Sequence, residues 1–149
     1  MPIRFAAMSW WNRKWLAGIR ERFNDREDIG REAVYDRYFA SERLPRVEVY
    51  ELFDLIESEY GPIAGLLRPD DNLVQKLFTP VKTNNPFRSV TYDVRAGDRE
   101  LWIGDKLKDR LEKYGVTTHA DWRRIQTVKD LVNAWCGRIP ISTESITSI

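Results

Sequence analysis

The sequence predicts a mainly α fold. In several separate segments, apolar side chains recur every three or four residues, which is the spacing of one face of a helix. The clearest of these segments has Pro45 at its start and Gly61-Pro62 at its end, which are ordinary helix start and stop signals. With 149 residues and 42% hydrophobic content, the chain is long enough for one domain with a buried core.

Two helices are predicted in the N-terminal third. The first runs from about Ser9 to Asn24 and has a strongly aromatic apolar face. The second runs from about Arg31 to Ala40 and carries an aromatic stripe. The apolar positions of the two are Met8, Trp11, Trp15, Leu16, Ile19 and Phe23, then Val34, Tyr35, Tyr38 and Phe39.

A third helix, from Val47 to Tyr60, is the most regular. Its apolar face is formed by Val49, Leu52, Phe53, Ile56 and Tyr60. The side left to solvent is acidic and holds Glu48, Glu51, Asp54, Glu57 and Glu59.

The C-terminal half predicts two more helices and one short β element. One helix runs from Asp98, a plausible N-cap, to Tyr114, and a last one begins at Thr127, where Thr127 and Asp130 approximate a capping box. Between about Arg88 and Arg95, apolar and polar residues alternate as in a strand, and Ile139-Pro140-Ile141 is its candidate partner.

Composition excludes several classes of site. The net charge of +1 and the scattered arginines give no nucleic-acid footprint. One cysteine, Cys136, excludes an intrachain disulfide and fits a reducing cytoplasm, and with the single His119 it cannot build a conventional zinc site of nitrogen and sulfur ligands. We predict no metal, and no apolar run approaches the length that spans a bilayer.

Four stretches follow one another in a familiar order. An acidic helix is followed by the loop Leu67-Arg68-Pro69-Asp70-Asp71-Asn72-Leu73, then by the helix that opens on Asp98, and finally by Ile125-Gln126-Thr127-Val128-Lys129-Asp130. In this order of parts, about 90 of the 149 residues resemble the acyl carrier protein family. The resemblance implies an N-terminal helical extension over residues 1–45, an acyl-carrier-like helical bundle over 46–137 and a flexible tail over 138–149.

The chain departs from the family at its defining residue. A carrier holds its phosphopantetheine on a serine after the helix-opening aspartate, whereas Arg99 stands between Asp98 and Glu100 here. A second alignment, through the loop, places Asn72 at that position, and residues 79–97 form an insertion in the first alignment. Neither side chain offers the hydroxyl that attacks the cofactor's pyrophosphate, so we expect no cofactor. Without the resemblance, Asp98 and Glu100 would simply be acids that complement a helix dipole.

The resemblance implies a non-enzymatic protein–protein interaction or accessory domain. Between Val47 and Asn72, seven acidic residues accompany a single arginine, so this surface could steer a basic protein partner. Glu48, Glu51 and Asp54 are the predicted partner-binding acids.

The N-terminal helix supports an alternative. Trp10, Trp11 and Trp15 together with basic residues suit a membrane interface, and this predicts a peripheral membrane or assembly module. Packing of these aromatic residues onto the bundle is the favoured interpretation, because the later aromatic residues need a partner face, and a dimer interface is a third option.

Overall fold

A computed structural model of the chain describes residues 10–113 and 124–138, and this part is mainly helical, as predicted. Within it, shorter helical turns lie at Ala40–Glu42, Ala64–Leu66 and Val74–Phe78. The α-helices of the described residues are α1 (Trp10–Glu21), α2 (Gly30–Tyr38), α3 (Arg46–Tyr60), α4 (Pro86–Lys113) and α5 (Val128–Trp135).

The first three helices agree with the sequence pattern. All five apolar positions predicted for α3 are buried. In α1, Trp15 and Ile19 are buried, and Phe23 is buried in the turn that follows. The predicted Met8 lies outside the described residues. Helix α3 ends where Gly61 adopts a positive φ of 83°, a conformation that glycine reaches without a steric penalty.

The predicted strand between Arg88 and Arg95 is wrong. These residues belong to α4, a helix of 28 residues that begins at Pro86, so Asp98 is not an N-cap. Asn85 performs that role, because its Oδ1 accepts hydrogen bonds from the backbone N–H groups of Phe87 and Arg88 at 3.0 and 3.2 Å. Ile139–Ile141 lie outside the described residues, and the only β-type pairing within them is the isolated bridge Asn72–Thr127.

Helix α5 begins with the predicted capping box. Thr127 Oγ1 accepts from the backbone N–H of Asp130 at 3.2 Å, and Asp130 Oδ2 accepts from the backbone N–H of Thr127 at 3.1 Å. Backbone hydrogen bonds then tie this start to the loop before Val74: Leu73 N to Gln126 O, Val128 N to Asp71 O and Lys129 N to Pro69 O. The loop and the start of α5 are thus in direct contact.

One continuous apolar core holds the described helices together. Trp15, Ile19 and Phe23 belong to the same buried cluster as the inward faces of α3, α4 and α5. The N-terminal helix therefore packs onto the bundle and shares its core. The inward face of α4 consists of Tyr92, Ala96, Ile103, Leu107 and Leu111.

Candidate functional site

The predicted carrier position lies inside a helix. Asp98, Arg99 and Glu100 are in the middle of α4, three turns after its start at Pro86. The N–H groups of a mid-helix residue are already used within the helix, so this position lacks the exposed N–H groups of a helix start.

Arg99 is directed into the molecule. Its guanidinium carbon lies 4.8 Å from the centre of the Trp15 ring, and its Nε lies 3.4 Å from Oε2 of Glu59. A cation over an indole face and beside a carboxylate is stabilised by both contacts. Arg99 therefore joins α4 to α1 and to the end of α3, which brings together two predicted site residues, Arg99 and Trp15, from distant parts of the chain.

Two further side chains complete what we term the tryptophan junction, formed by Trp15, Glu59, Tyr60, Arg95 and Arg99. Tyr60 stacks on Trp15 with 5.6 Å between ring centres, and the guanidinium of Arg95 lies 5.5 Å from the same indole. Burial is the main reason that the pKa of Tyr60 is raised well above its usual value. The Trp15 Nε1, Tyr60 hydroxyl and Arg95 Nη1 atoms are buried without a hydrogen-bond partner.

The tryptophan junction offers no evident catalytic chemistry. It contains no serine, cysteine or histidine, and its one carboxylate, Glu59, is engaged by Arg99. In the part of the chain that the structure describes, no three metal-ligating side chains converge. The contacts of the tryptophan junction indicate a structural role, which is the attachment of α1 to the bundle.

The second alignment places Asn72 at the carrier position, and there the residue does begin a helical turn. Its Oδ1 accepts from the backbone N–H of Gln75 at 3.0 Å, as an N-cap side chain does. The neighbouring Asp71 is buried and binds Arg26 at 2.6 Å, so it fixes the loop to the segment after α1. An asparagine amide in this position can cap a helix but cannot accept a phosphopantetheine arm.

The acids of α3 are largely paired with arginines from other elements. Arg110 of α4 contacts Glu48 at 3.3 Å and Glu51 at 3.1 Å, and it also stacks over Trp135 at 4.5 Å. Arg31 of α2 binds both Asp54 and Glu57. With Glu59 held by Arg99, the five acids of this face share three arginines, so the face is less negative than the sequence alone indicates. Binding of a partner by Glu48, Glu51 and Asp54 stays a prediction.

The three tryptophans predicted for partner or membrane contact do not form one exposed surface. Trp15 is 1% exposed and belongs to the core. Trp10 and Trp11 lie in the first turn of α1, and their side chains lie outside what the structure describes. Among the described helices, none is both long and apolar enough to cross a membrane.

Helix α4 carries an exposed apolar surface that was not predicted from the sequence. Phe87, Val90, Val94 and Leu101 are 82%, 64%, 59% and 68% exposed, although they lie on the longest helix of the described chain. We term their shared face, together with Gly97 and Gly104, the α4 stripe. The alternation of Val90, Tyr92 and Val94 had suggested a strand, whereas the seven-residue spacing of Phe87, Val94 and Leu101 was the signal for one helix face.

Comparison of the chain with protein-family models, with curated proteins and with solved structures found no match in any of the three.

Proposed function

We propose that this chain is a non-enzymatic, acyl-carrier-like protein that acts as an interaction or accessory domain and carries no prosthetic group. The observation that carries the proposal is the position of Arg99. Its guanidinium lies between Trp15 and Glu59, where a carrier of the first alignment would present its serine. A guanidinium has no nucleophilic oxygen that could accept the cofactor.

Two other features support the proposal. The start of α5, which is the most specific match to carriers, hydrogen-bonds to the carrier-like loop from Leu67 to Leu73. At the turn headed by Asn72, the second alignment also lacks a hydroxyl. The long N-terminal half of α4 departs from the expected helix that opens on Asp98, so the likeness is strongest in the loop and in α5.

Intact-mass measurement after co-expression with a phosphopantetheinyl transferase tests the proposal. We expect the unmodified mass, while an authentic carrier expressed in parallel gains the cofactor. An adduct on the wild-type chain would overturn the proposal.

Two variants make the experiment sharper. Arg99→Ser supplies a hydroxyl in the middle of α4, and Asn72→Ser supplies one at the start of a helical turn. We expect Arg99→Ser to remain unmodified, because the transferase needs an accessible serine and this one would lie beside the buried Trp15. If only Asn72→Ser is modified, the second alignment is the correct one and the wild-type chain is a carrier scaffold without its attachment residue.

A further inference from the structure

The α4 stripe has the repeat of a helix-pairing seam. Phe87, Val94 and Leu101 are seven residues apart, and so are Val90, Gly97 and Gly104. These two sets correspond to the a and d positions of a heptad, which meet a second helix in coiled-coil packing. From Phe87 to Gly104 the stripe is about 25 Å long at the usual rise per residue. Lys108 occupies the next position of the repeat and ends the apolar stretch.

The two glycines have no evident role inside the chain. A Cβ atom built on Gly97 or Gly104 would meet no heavy atom within 4 Å. Glycine in a helix interior is less stable than alanine, so two of them on one face need another explanation. On a pairing face they let another backbone approach closely, as small residues do between packed helices.

The charges beside the stripe indicate what could cover it. Asp98 and Asp105 lie along one edge and Asp93 lies along the other, and all three are exposed. Within the described residues, none of the three forms an ion pair. A helix that docks on the stripe therefore meets carboxylates on both of its sides.

The same charges disfavour other occupants of the α4 stripe, namely a second copy of the chain, a terminal segment of the same chain and an anionic lipid surface. Two copies paired through this stripe would bring aspartates against aspartates in either orientation, which is repulsive. Residues 139–149 contain Glu144 and no lysine or arginine, and Arg4 is the single basic side chain of residues 1–9, so neither of these two segments offers a complementary pair of basic edges. An anionic lipid surface would likewise be repelled.

We infer that the α4 stripe is the docking site for an amphipathic helix of a partner protein, with an apolar seam and lysine or arginine on both edges. The apolar side chains would pack between the two helices, Gly97 and Gly104 would allow close approach, and the aspartates would select the partner by charge. The inference rests on the proposed function, because it names the partner surface of an interaction domain.

A displayed library of amphipathic helices tests this with the full-length chain. Its a and d positions vary among apolar residues, and its e and g positions vary among Lys, Arg, Glu, Gln and Ser. We expect selection to enrich helices with Lys or Arg at both edges. Val94→Asp and Leu101→Asp should weaken their binding at least about tenfold, whereas Val47→Asp, at a residue of α3 that is 72% exposed, should not.

Two more variants separate docking from a general effect on folding. Gly97→Ala should raise the Tm by about 1–4 °C and still weaken binding, because a methyl group would stand in the approach path. The double variant Asp98→Lys/Asp105→Lys should reverse the selection toward Glu at the facing edge.

Any of three results would overturn the inference: no helix is enriched, the enriched helices have acidic or neutral edges, or Val94→Asp and Leu101→Asp do not weaken binding. Self-association of the wild-type chain that Leu101→Asp abolishes would instead identify a second copy as the occupant. Failure of the helix selection would overturn the docking site but not the proposed function, because the chain would still lack the carrier serine. A cofactor adduct in the mass experiment would overturn the proposed function by itself.

Discussion

At the scale of single residues, the contacts of Arg99 indicate a structural role. Arg99 contacts Trp15 of α1 and Glu59 of α3 while lying on α4, so three helices depend on one guanidinium. Because Glu59 is only 13% exposed, removal of Arg99 would leave its carboxylate poorly compensated.

We therefore expect Arg99→Ala to lower the free energy of unfolding by about 1–3 kcal/mol. Urea denaturation measures the change. Arg37→Ala, at an exposed position of α2, is the matched control and should stay within about 0.5 kcal/mol of wild type. The cost should fall when Glu59 is already Gln, because the two residues interact directly. Equal effects of Arg99→Ala and Arg37→Ala would contradict the structural role.

The burial of Tyr60 predicts how the stability of the protein depends on pH. Burial raises the pKa of its hydroxyl above the usual 10.0, so the folded protein keeps the phenol neutral at a pH where the unfolded chain ionises. This contribution to stability is complete below about pH 10 and is lost as the pH rises further, because ionisation then favours the unfolded state.

Tyr60→Phe should remove that dependence. At pH 7 we expect its stability to equal or slightly exceed that of wild type, since the lost hydroxyl is buried without a partner. Between pH 8 and pH 11, wild type should lose about 1 kcal/mol more than the variant in urea denaturation. A variant that is clearly less stable at pH 7 would mean that the hydroxyl has a hydrogen-bond partner in solution.

At the scale of elements, two helix glycines should respond to alanine with opposite signs. A Cβ on Gly18 of α1 would lie 2.4 Å from Cγ1 of Val81, which is too close for a short, stiff side chain to accommodate. A Cβ on Gly97 would meet open space. Helix propensity favours alanine at both positions by up to about 1 kcal/mol, so any difference between them reports packing.

We expect Gly18→Ala to destabilise the protein by about 1–3 kcal/mol and Gly97→Ala to stabilise it by about 0.5–1 kcal/mol. Thermal unfolding followed by circular dichroism distinguishes the two variants, because the Tm shifts have opposite directions. Stabilisation by Gly18→Ala would show that Val81 does not pack on α1 in solution.

The helices also show how much of the fold could be predicted from the sequence. Helices α1, α3 and α5 were predictable because their apolar residues follow a helical repeat, and Trp15, Ile19 and the predicted apolar faces of α3 and α5 are buried. The first half of α4 was not, because its exposed Val90 and Val94 alternate with polar residues and hide the helical spacing of Tyr92, Ala96 and Ile103. An exposed apolar stripe violates the rule by which faces are assigned, and violations of that kind are expected at interaction sites.

The candidate site was predicted less completely than the fold. Trp15 and Arg99 were both identified from the sequence, but one as a partner contact and the other as the remnant of a cofactor position. Their contact could not be predicted, because it joins residues that are 84 positions apart. The arginines that pair with the acids of α3 were likewise invisible, since Arg31 and Arg110 lie on two other helices.

At the scale of the whole molecule, α1 belongs to the same core as the bundle. Trp15, Ile19 and Phe23 are each 1% exposed or less, and each buried side chain of this kind contributes about 1.5–3 kcal/mol. Their sum is comparable with the entire stability of an ordinary domain, about 5–15 kcal/mol. A chain that lacks α1 would also expose Tyr60 and the indole-binding face of Arg99.

We therefore expect a chain that begins at Asp25 to lose cooperative unfolding, with no sigmoidal transition in a thermal melt followed by circular dichroism. The full chain with Ile19→Ala is the control and should melt cooperatively at a lower temperature, since it loses only about 2–5 kcal/mol. If the shortened chain instead melts at the wild-type midpoint, the residues from Asp25 onward fold independently and α1 is a separable extension. The same result would permit membrane binding by the N-terminal segment to be measured by comparing the two lengths of chain, whereas an unfolded short chain would bind lipid for reasons unrelated to Trp10 and Trp11.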